Sequence, residues 1–500
     1  MITPLAYVVF FTFPLLAIVA FAYFGRLYGF ALTVIAGYLF LPYSIVFRVP
    51  GLPNIEKDNL IYLCAGVLLF LSSNAEVKRR REGSVPILPW IPKSSLGRLL
   101  ILAGLAVAFL TYANNQEPVV DHISILPALA FGDIAHYFYQ FSLPIFLMLV
   151  ARRYFSGHDA TLVFLKVAAA LGVIYGGMVI FEFRFSPQLY RMLYGEPIFE
   201  FVHVQRYGNY KAVLFMKNAL ITSIHMAILF VCAVAVFRQS RGDERTIWRF
   251  CAIWTGFCLL FTLSIGATLL GAIFGVLAFL GSRRMALLAA AVSAFSVVVY
   301  PLLRLAGVVP LNQIVGFFAM IDAGRSRSLA FRFQNEELLI QRADDKIWTG
   351  WGQTSRNQVT VAETGIDGPT NLIVDSEFVI VLGQFGLVGY LSIFGLLALP
   401  ILTVLRYRHL VRYEHAFLGL ALALSVLAID SLVNHTASPI RWAMVGMVLG
   451  HAELLVAQVR GAREEAEVAR KAALELRRKK MRAASGAASR SAVMELNRRR

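Results

Sequence analysis

The sequence predicts an all-α fold: a polytopic transmembrane helical bundle of about 12–13 spans, with two long extracytoplasmic loops and a cytoplasmic C-terminal helix. Three observations carry this. Hydrophobic residues make up 58% of the 500-residue chain and charged residues only 15%, against about 45–50% and about 25% in a soluble globular chain. The apolar residues fall into repeated runs near the length of about 20 needed to cross a bilayer. Basic residues then cluster on alternate connections between those runs, as they do on the cytoplasmic side of membrane proteins. Together these exclude a water-soluble enzyme, and the high apolar content excludes a disordered chain.

Thirteen runs qualify: 4–23, 28–47, 59–75, 97–113, 126–150, 160–182, 212–237, 247–263, 265–281, 285–303, 374–404, 413–433 and 438–458. Two of them, 59–75 and 97–113, are short, and 374–404 is long enough to begin at the surface before entering the bilayer. Met1–Ala22 has the apolar stretch of a signal peptide but no basic n-region, so it is read as a first span. The basic clusters are Lys78 to Arg81, Arg152-Arg153, Arg238 to Arg249, Arg283-Arg284, Arg406 to Arg412 and the segment after Arg460. All fall on one side, which makes that side cytoplasmic, the N-terminus external and the C-terminus internal.

The chain divides into a membrane domain, 1–458, and a basic tail, 459–500. In the tail, Glu467/Lys471 and Glu475/Lys479 have i,i+4 spacing, which predicts a helix near anionic headgroups that frays after Ser485. The formal charge of +17 is accounted for by membrane orientation, so nucleic acid is not expected as a partner. Cys64, Cys232, Cys251 and Cys258 all sit in apolar runs without metal-ligand spacing, which argues against both a disulfide framework and a metal site.

Two external connections are long, 183–211 and 304–373, and chemistry is expected there. The first holds Arg184, Arg191, His203, Gln205, Arg206 and Lys211 among eight aromatic residues; guanidinium groups suit pyrophosphate and aromatic faces suit sugars, although an interfacial aromatic belt has the same composition. The second carries seven basic residues (Arg304, Arg325, Arg327, Arg332, Arg342, Lys346, Arg356) against seven acidic ones. Leu329, Phe333, Ile340, Ala343 and Ile347 share one helical face, with Glu336 in the stripe and Arg332 one turn earlier, so an Arg332/Glu336 pair is expected to aim the guanidinium outward. Gly350-Trp351-Gly352 is a tight turn without the strand context of a nucleotide fingerprint. Asp375-Ser376-Glu377 then stands at the mouth of a span. Its carboxylates suit proton abstraction from a sugar hydroxyl, and Ser376 equally suits a helix cap. Among polar residues in or near spans (Asp133, His136, Lys166, Glu182, Lys217, His225, Asp430, His435, Glu453), Lys217, His225 and Asp430 lie too deep for snorkelling to explain.

Three of these stretches carry a resemblance. Arg332 to Gly352, Asp375-Ser-Glu-Phe through Gln384-Phe-Gly-Leu-Val-Gly389, and His203 to Asn209 around Arg206 resemble the motifs of the O-antigen ligase/polymerase superfamily of bacterial envelope glycan enzymes. Ser264-Ile-Gly-Ala267 is similar to another family stretch, with Ile265 where an arginine is usual, and Asp375 stands where ligases usually carry a histidine. The resemblance implies an inverting, metal-independent polymerase in the bacterial cytoplasmic membrane, needing no cofactor. It would join undecaprenyl-pyrophosphate-linked repeat units into O-antigen, capsule or exopolysaccharide, beside a chain-length regulator and a flippase. Under it, Asp375 and Glu377 would handle the acceptor hydroxyl. Arg332 and Arg206 would stabilise the leaving pyrophosphate with Arg325 or Arg327, and Arg342, Lys211 and His203 would bind substrate. The alternatives are a ligase acting on lipid A core or protein, and a flippase or exporter of the same lipid-linked glycan.

Overall fold

The computed structural model describes residues 2–48, 54–79, 88–120, 125–195, 204–206, 208–320, 323–357, 360–361, 370–371 and 376–498. It is 78% helical, and the strands among the described residues are two-residue pairs in the connections. Among the described residues eight helices are long and apolar enough to cross a membrane, and Ile265–Leu280 and His415–Asp430 are shorter apolar ones. The protein is a multi-pass membrane protein.

A helical segment lies at every predicted span. Runs 4–23 and 28–47 join in one element, Pro4–Phe40, which Gly25 (φ 75°) folds back on itself so that Gly37 meets the Phe13 ring. Its second arm ends at Phe40, earlier than expected, because Leu41-Pro42 turns the chain into extended backbone. The runs at 126–150 and 212–237 also start late, at Phe131 and Ala219, since their first residues build loop structure instead. The run at 374–404 is the helix Glu377–Arg406, interrupted at Gly386 (φ 60°) into an initial segment of about two turns and a longer one.

Ala219–Gln239 and His415–Asp430 are buried around nearly their whole circumference, as helices apolar on every face must be, and form the centre of the bundle. Phe131–Tyr154 packs closely on the last helix, where Gly446 and Gly450 let it approach the Met148 and Arg152 carbonyls. The outer helices turn Leu15, Val19, Ile253, Leu269, Val276, Leu288 and Phe295 away from the protein, a surface that only lipid tolerates.

Contacts between connections sort into two faces. On one, Thr3 N–H donates to Tyr194 O (3.1 Å), Lys57 Nζ to Phe215 O (3.0 Å), and Asn115 to Gly350 O (2.9 Å). On the other, Arg152 pairs with Glu453 and donates to Pro89 O (2.7 Å), His158 meets Glu414, and Arg238 donates to Gly281 O (2.9 Å). The first face carries described residues of both long loops, and the second carries Arg152 and Arg238 of the basic clusters. The final helix, Pro439–Arg498, runs on past Ser485 without the expected fraying, and Lys471 pairs with Glu467 at 3.1 Å.

Candidate functional site

The amphipathic run in the second loop is a helix, Ala323–Asp344, with Leu339, Ile340 and Ala343 buried. Glu336, in the middle of that stripe, is buried too, and it needs partners. It finds Arg304, which enters from the preceding span (3.5 Å) and also reaches Glu337 (3.2 Å), and it accepts the Ser376 hydroxyl. Ser376 occupies the N-cap position of its helix, yet its side chain serves Glu336 rather than capping. The expected Arg332/Glu336 pairing is thus replaced at short range by Arg304, with Arg332 a further charge acting on Glu336. Burial pushes the Glu336 carboxyl above its usual range, against the opposing pull of Ser376, Arg304 and Arg332.

The two glycine-containing motifs interlock. Trp351 N–H donates to Gly383 O and Gly352 N–H to Gln384 O, both at 2.8 Å, while Leu387 N–H donates to Ile347 O at 2.7 Å. The break at Gly386 frees backbone groups, and the loop after Trp348 satisfies them. A Cβ at Gly350 would lie 2.3 Å from the Gln384 carbonyl carbon, and one at Gly386 2.3 Å from that of Trp348. Arg356, 1% exposed, locks this turn by donating to the carbonyls of Trp351 (3.2 Å), Pro127 (2.5 Å) and Glu117 (3.0 Å). Arg342 stacks on Trp351 at 3.7 Å, and Lys346 donates to Asn115 Oδ1 at 3.1 Å.

Beside this junction a cavity of about 360 Å³ opens between four helices. Its upper wall is polar, with Glu56, Asp58, His136, His435, Glu377 and Arg441; deeper it is lined by Phe141, Pro144, Ile145, Ile393 and Leu396. Glu377 and Arg441 form a bidentate pair at 2.6 and 2.7 Å, each side chain 2% exposed. His435 is open on the cavity wall, and desolvation by the residues around it lowers its pKa, with Glu377 opposing and Arg441 adding to the shift. Lys217 is exposed, its charge reaching Asp58 and His435. A cavity that passes from charged to apolar walls accommodates an amphipathic molecule. A second, more polar groove of about 480 Å³ adjoins it, sharing His136 and Gln140.

The expected site residues divide into groups. Arg206, Lys211 and Arg332 come together from both long loops: burial first, then the charges of Arg206 and Arg332, lower the Lys211 pKa. Arg206 sits on a short hairpin, Gln205–Arg206 against Asn209–Tyr210, and donates to Leu263 O at 3.2 Å. Arg342 is away from that cluster, against Trp351, and Arg327 is exposed. Glu377 lines the cavity, but bound to Arg441. His203, Asp375 and the Arg325 side chain lie outside the described residues. Of the deep polar residues, His225 is a core histidine, its Nδ1 2.8 Å from Ile221 O and its ring against Tyr38. Asp430 is buried with Asn434 (2.7 Å), and Glu182 accepts the N–H groups of Leu189, Val213 and Leu214, tying the first loop to its helix.

Sequence reasoning missed Arg441. It lies inside the run at 438–458, where an ionisable residue warrants attention by position alone. It also set aside His136 as a snorkelling residue, whereas His136 lines both cavities. The sequence matches no protein-family model and no curated protein.

Proposed function

We propose that the protein is an inverting, metal-independent glycosyltransferase that joins undecaprenyl-pyrophosphate-linked repeat units into a polysaccharide on the external face of a bacterial cytoplasmic membrane. The observation that carries this reading is the convergence of Arg206 and Lys211 from one long loop with Arg332 from the other. Lys211 bears the charge of both arginines, and a pyrophosphate dianion beside it relieves that repulsion. The relief grows as the sugar–phosphate bond breaks and charge develops on the leaving group, which is how fixed guanidinium groups accelerate the step.

The cavity supports the lipid part of the same substrate: its apolar depth suits an isoprenoid chain, while its rim, with Glu56, Asp58 and the Glu377–Arg441 pair, is too acidic for a pyrophosphate, which is assigned to the arginine cluster. Asp375 is assigned to orient or deprotonate the acceptor hydroxyl, with Arg325 and Arg327 assisting the arginine cluster and His203 and Arg342 binding flanking sugar. Glu377 is assigned a positioning role, since a carboxylate that accepts two bonds from Arg441 is a poor base. The C-terminal helix is assigned to the cytoplasm, as the basic clusters on its face require. A chain-length regulator and a flippase are the expected partners.

A flippase or exporter is the second reading, and the helix break at Gly386 favours it. The charge pair at issue, however, sits in the first turn of two helices at the loop face and not at mid-depth. The test is reconstitution in liposomes with an undecaprenyl-pyrophosphate-linked repeat unit, wild type beside Arg332→Ala. A ladder of product lengths from wild type alone is expected, with equal protein levels. A normal ladder from Arg332→Ala removes that arginine from the site, and no new bond from wild type removes the enzyme reading.

A further inference from the structure

We infer that the polar groove beside the main cavity is a binding subsite for an uncharged sugar ring. As to which sugar, the inference rests on the glycosyltransferase reading, where it is the terminal sugar of the acceptor repeat unit; binding itself does not depend on that reading.

Three elements build the groove. The first turns of Phe131–Tyr154 supply Asp133, His136, Tyr137 and Gln140; the turn after Trp351 supplies Gly352 and Gln353; and Gln384 comes from the residues just before the helix break. Their positions are fixed locally. Asp133 Oδ2 accepts the Ala130 N–H at 2.8 Å, which anchors the start of the helix, and its Oδ1 faces Gln353 Nε2 at 3.4 Å. Gly352 N–H is held on Gln384 O.

Tyr137 points to a ligand. Its side chain is 3% exposed and packs edge-on against Phe385 at 5.4 Å, yet its hydroxyl has no hydrogen-bond partner. Buried hydroxyl groups are nearly always bonded, so this orphan, just behind the groove wall, is the group left for a bound molecule to complete where the Gly352 turn yields. Gly352 closes over it: a Cβ there would stand 2.9 Å from the Tyr137 oxygen.

The lining chooses the ligand's chemistry. One carboxylate, three primary amides, an imidazole and a phenol line the groove, and none of the lining residues is Lys or Arg. A phosphate would meet a carboxylate in the lining and no lining cation; Arg356, whose charge reaches Asp133 and Tyr137, spends its guanidinium on the carbonyls of Trp351, Pro127 and Glu117. A sugar ring presents adjacent hydroxyl groups that each donate and accept, which amides and a carboxylate satisfy in pairs. The shared His136 and Gln140 put such a ring at the edge of the main cavity, next to the lipid-linked substrate proposed there.

The test reads binding alone, by saturation-transfer NMR on the full chain in nanodiscs. The probes are the methyl glycosides of glucose, galactose, mannose and N-acetylglucosamine. At least one is expected to bind with a Kd of about 1 mM, the range of a few hydrogen bonds. Tyr137→Phe removes only the hydroxyl and should weaken binding about three- to tenfold; Asp133→Asn with Gln353→Ala should abolish it. The inference falls if no glycoside binds wild type, if Tyr137→Phe and the double variant bind as wild type does, or if inorganic pyrophosphate displaces the glycoside. Glycoside binding in a protein that makes no polymer supports the subsite and removes the proposed function.

Discussion

Replacing Glu377 with glutamine should leave Arg441 as a buried, uncompensated guanidinium, and the size of the loss follows from the geometry. The two side chains meet through two bonds of 2.6 and 2.7 Å with 2% exposure on each side. With the charge centres of such a fork about 4 Å apart, a unit charge pair is worth about 4 kcal/mol at the effective dielectric of about 20 that suits protein sites. Breaking a buried pair from one side costs about 3–5 kcal/mol. Arg441→Lys should fall between wild type and the broken pair, because an ammonium cannot reproduce the bidentate fork. The double variant Glu377→Gln/Arg441→Met removes both charges and should return to within about 2 kcal/mol of wild type, since a buried pair often breaks even with a neutral replacement of similar volume. Unfolding by sodium dodecyl sulfate titration in mixed micelles, followed by circular dichroism, gives all four values. Single variants within about 1 kcal/mol of wild type would refute the reasoning, because a pair worth that little is a solvated one.

Gly350→Ala and Gly386→Ala should each destabilise the protein, with about 1–2 kcal/mol from positive φ alone and more from the backbone contact that a Cβ would make. Pairing the two variants should give less than the sum, since both open the same junction, and the same titration reads it. Arg356→Lys should loosen the outer turn, because one ammonium cannot serve three separate carbonyls and Asn115 Oδ1 as the guanidinium does; faster hydrogen exchange at 349–352 is the measurement. Lys211, its pKa lowered, should lose its charge at a lower pH than an ordinary lysine. Pyrophosphate affinity, measured by titration calorimetry, should therefore decline with rising pH earlier than a normal lysine allows. Binding should take up protons in that window, and Arg332→Ala should move the decline upward by removing one repelling charge.

The legible part of the fold was the part that is local. Every apolar run contains a helical segment, eight of the described helices being long and apolar enough to cross a membrane, and the stripe Phe333, Ile340, Ala343 located the loop helix, because helical periodicity and bilayer thickness act within about 20 residues. The glycine turns at 350–352 and 386 were visible as motifs, although not that they lock together. The ends at Phe40, Phe131 and Ala219 were less legible, since loop bonds there outcompete continued helix.

The sequence by itself determined that this chain crosses a membrane many times and that its basic clusters and its two long loops fall on different connections. Composition, run length and charge placement are additive along the chain and need no partner. Only the tertiary structure decided which charges meet: Glu336 with Arg304 instead of Arg332, Ser376 with Glu336 instead of its own helix, Glu377 with Arg441, and Arg356 with carbonyls more than two hundred residues away. A buried charge must take whichever opposite charge the bundle brings within bonding distance, and that choice depends on the packing of helices remote in sequence.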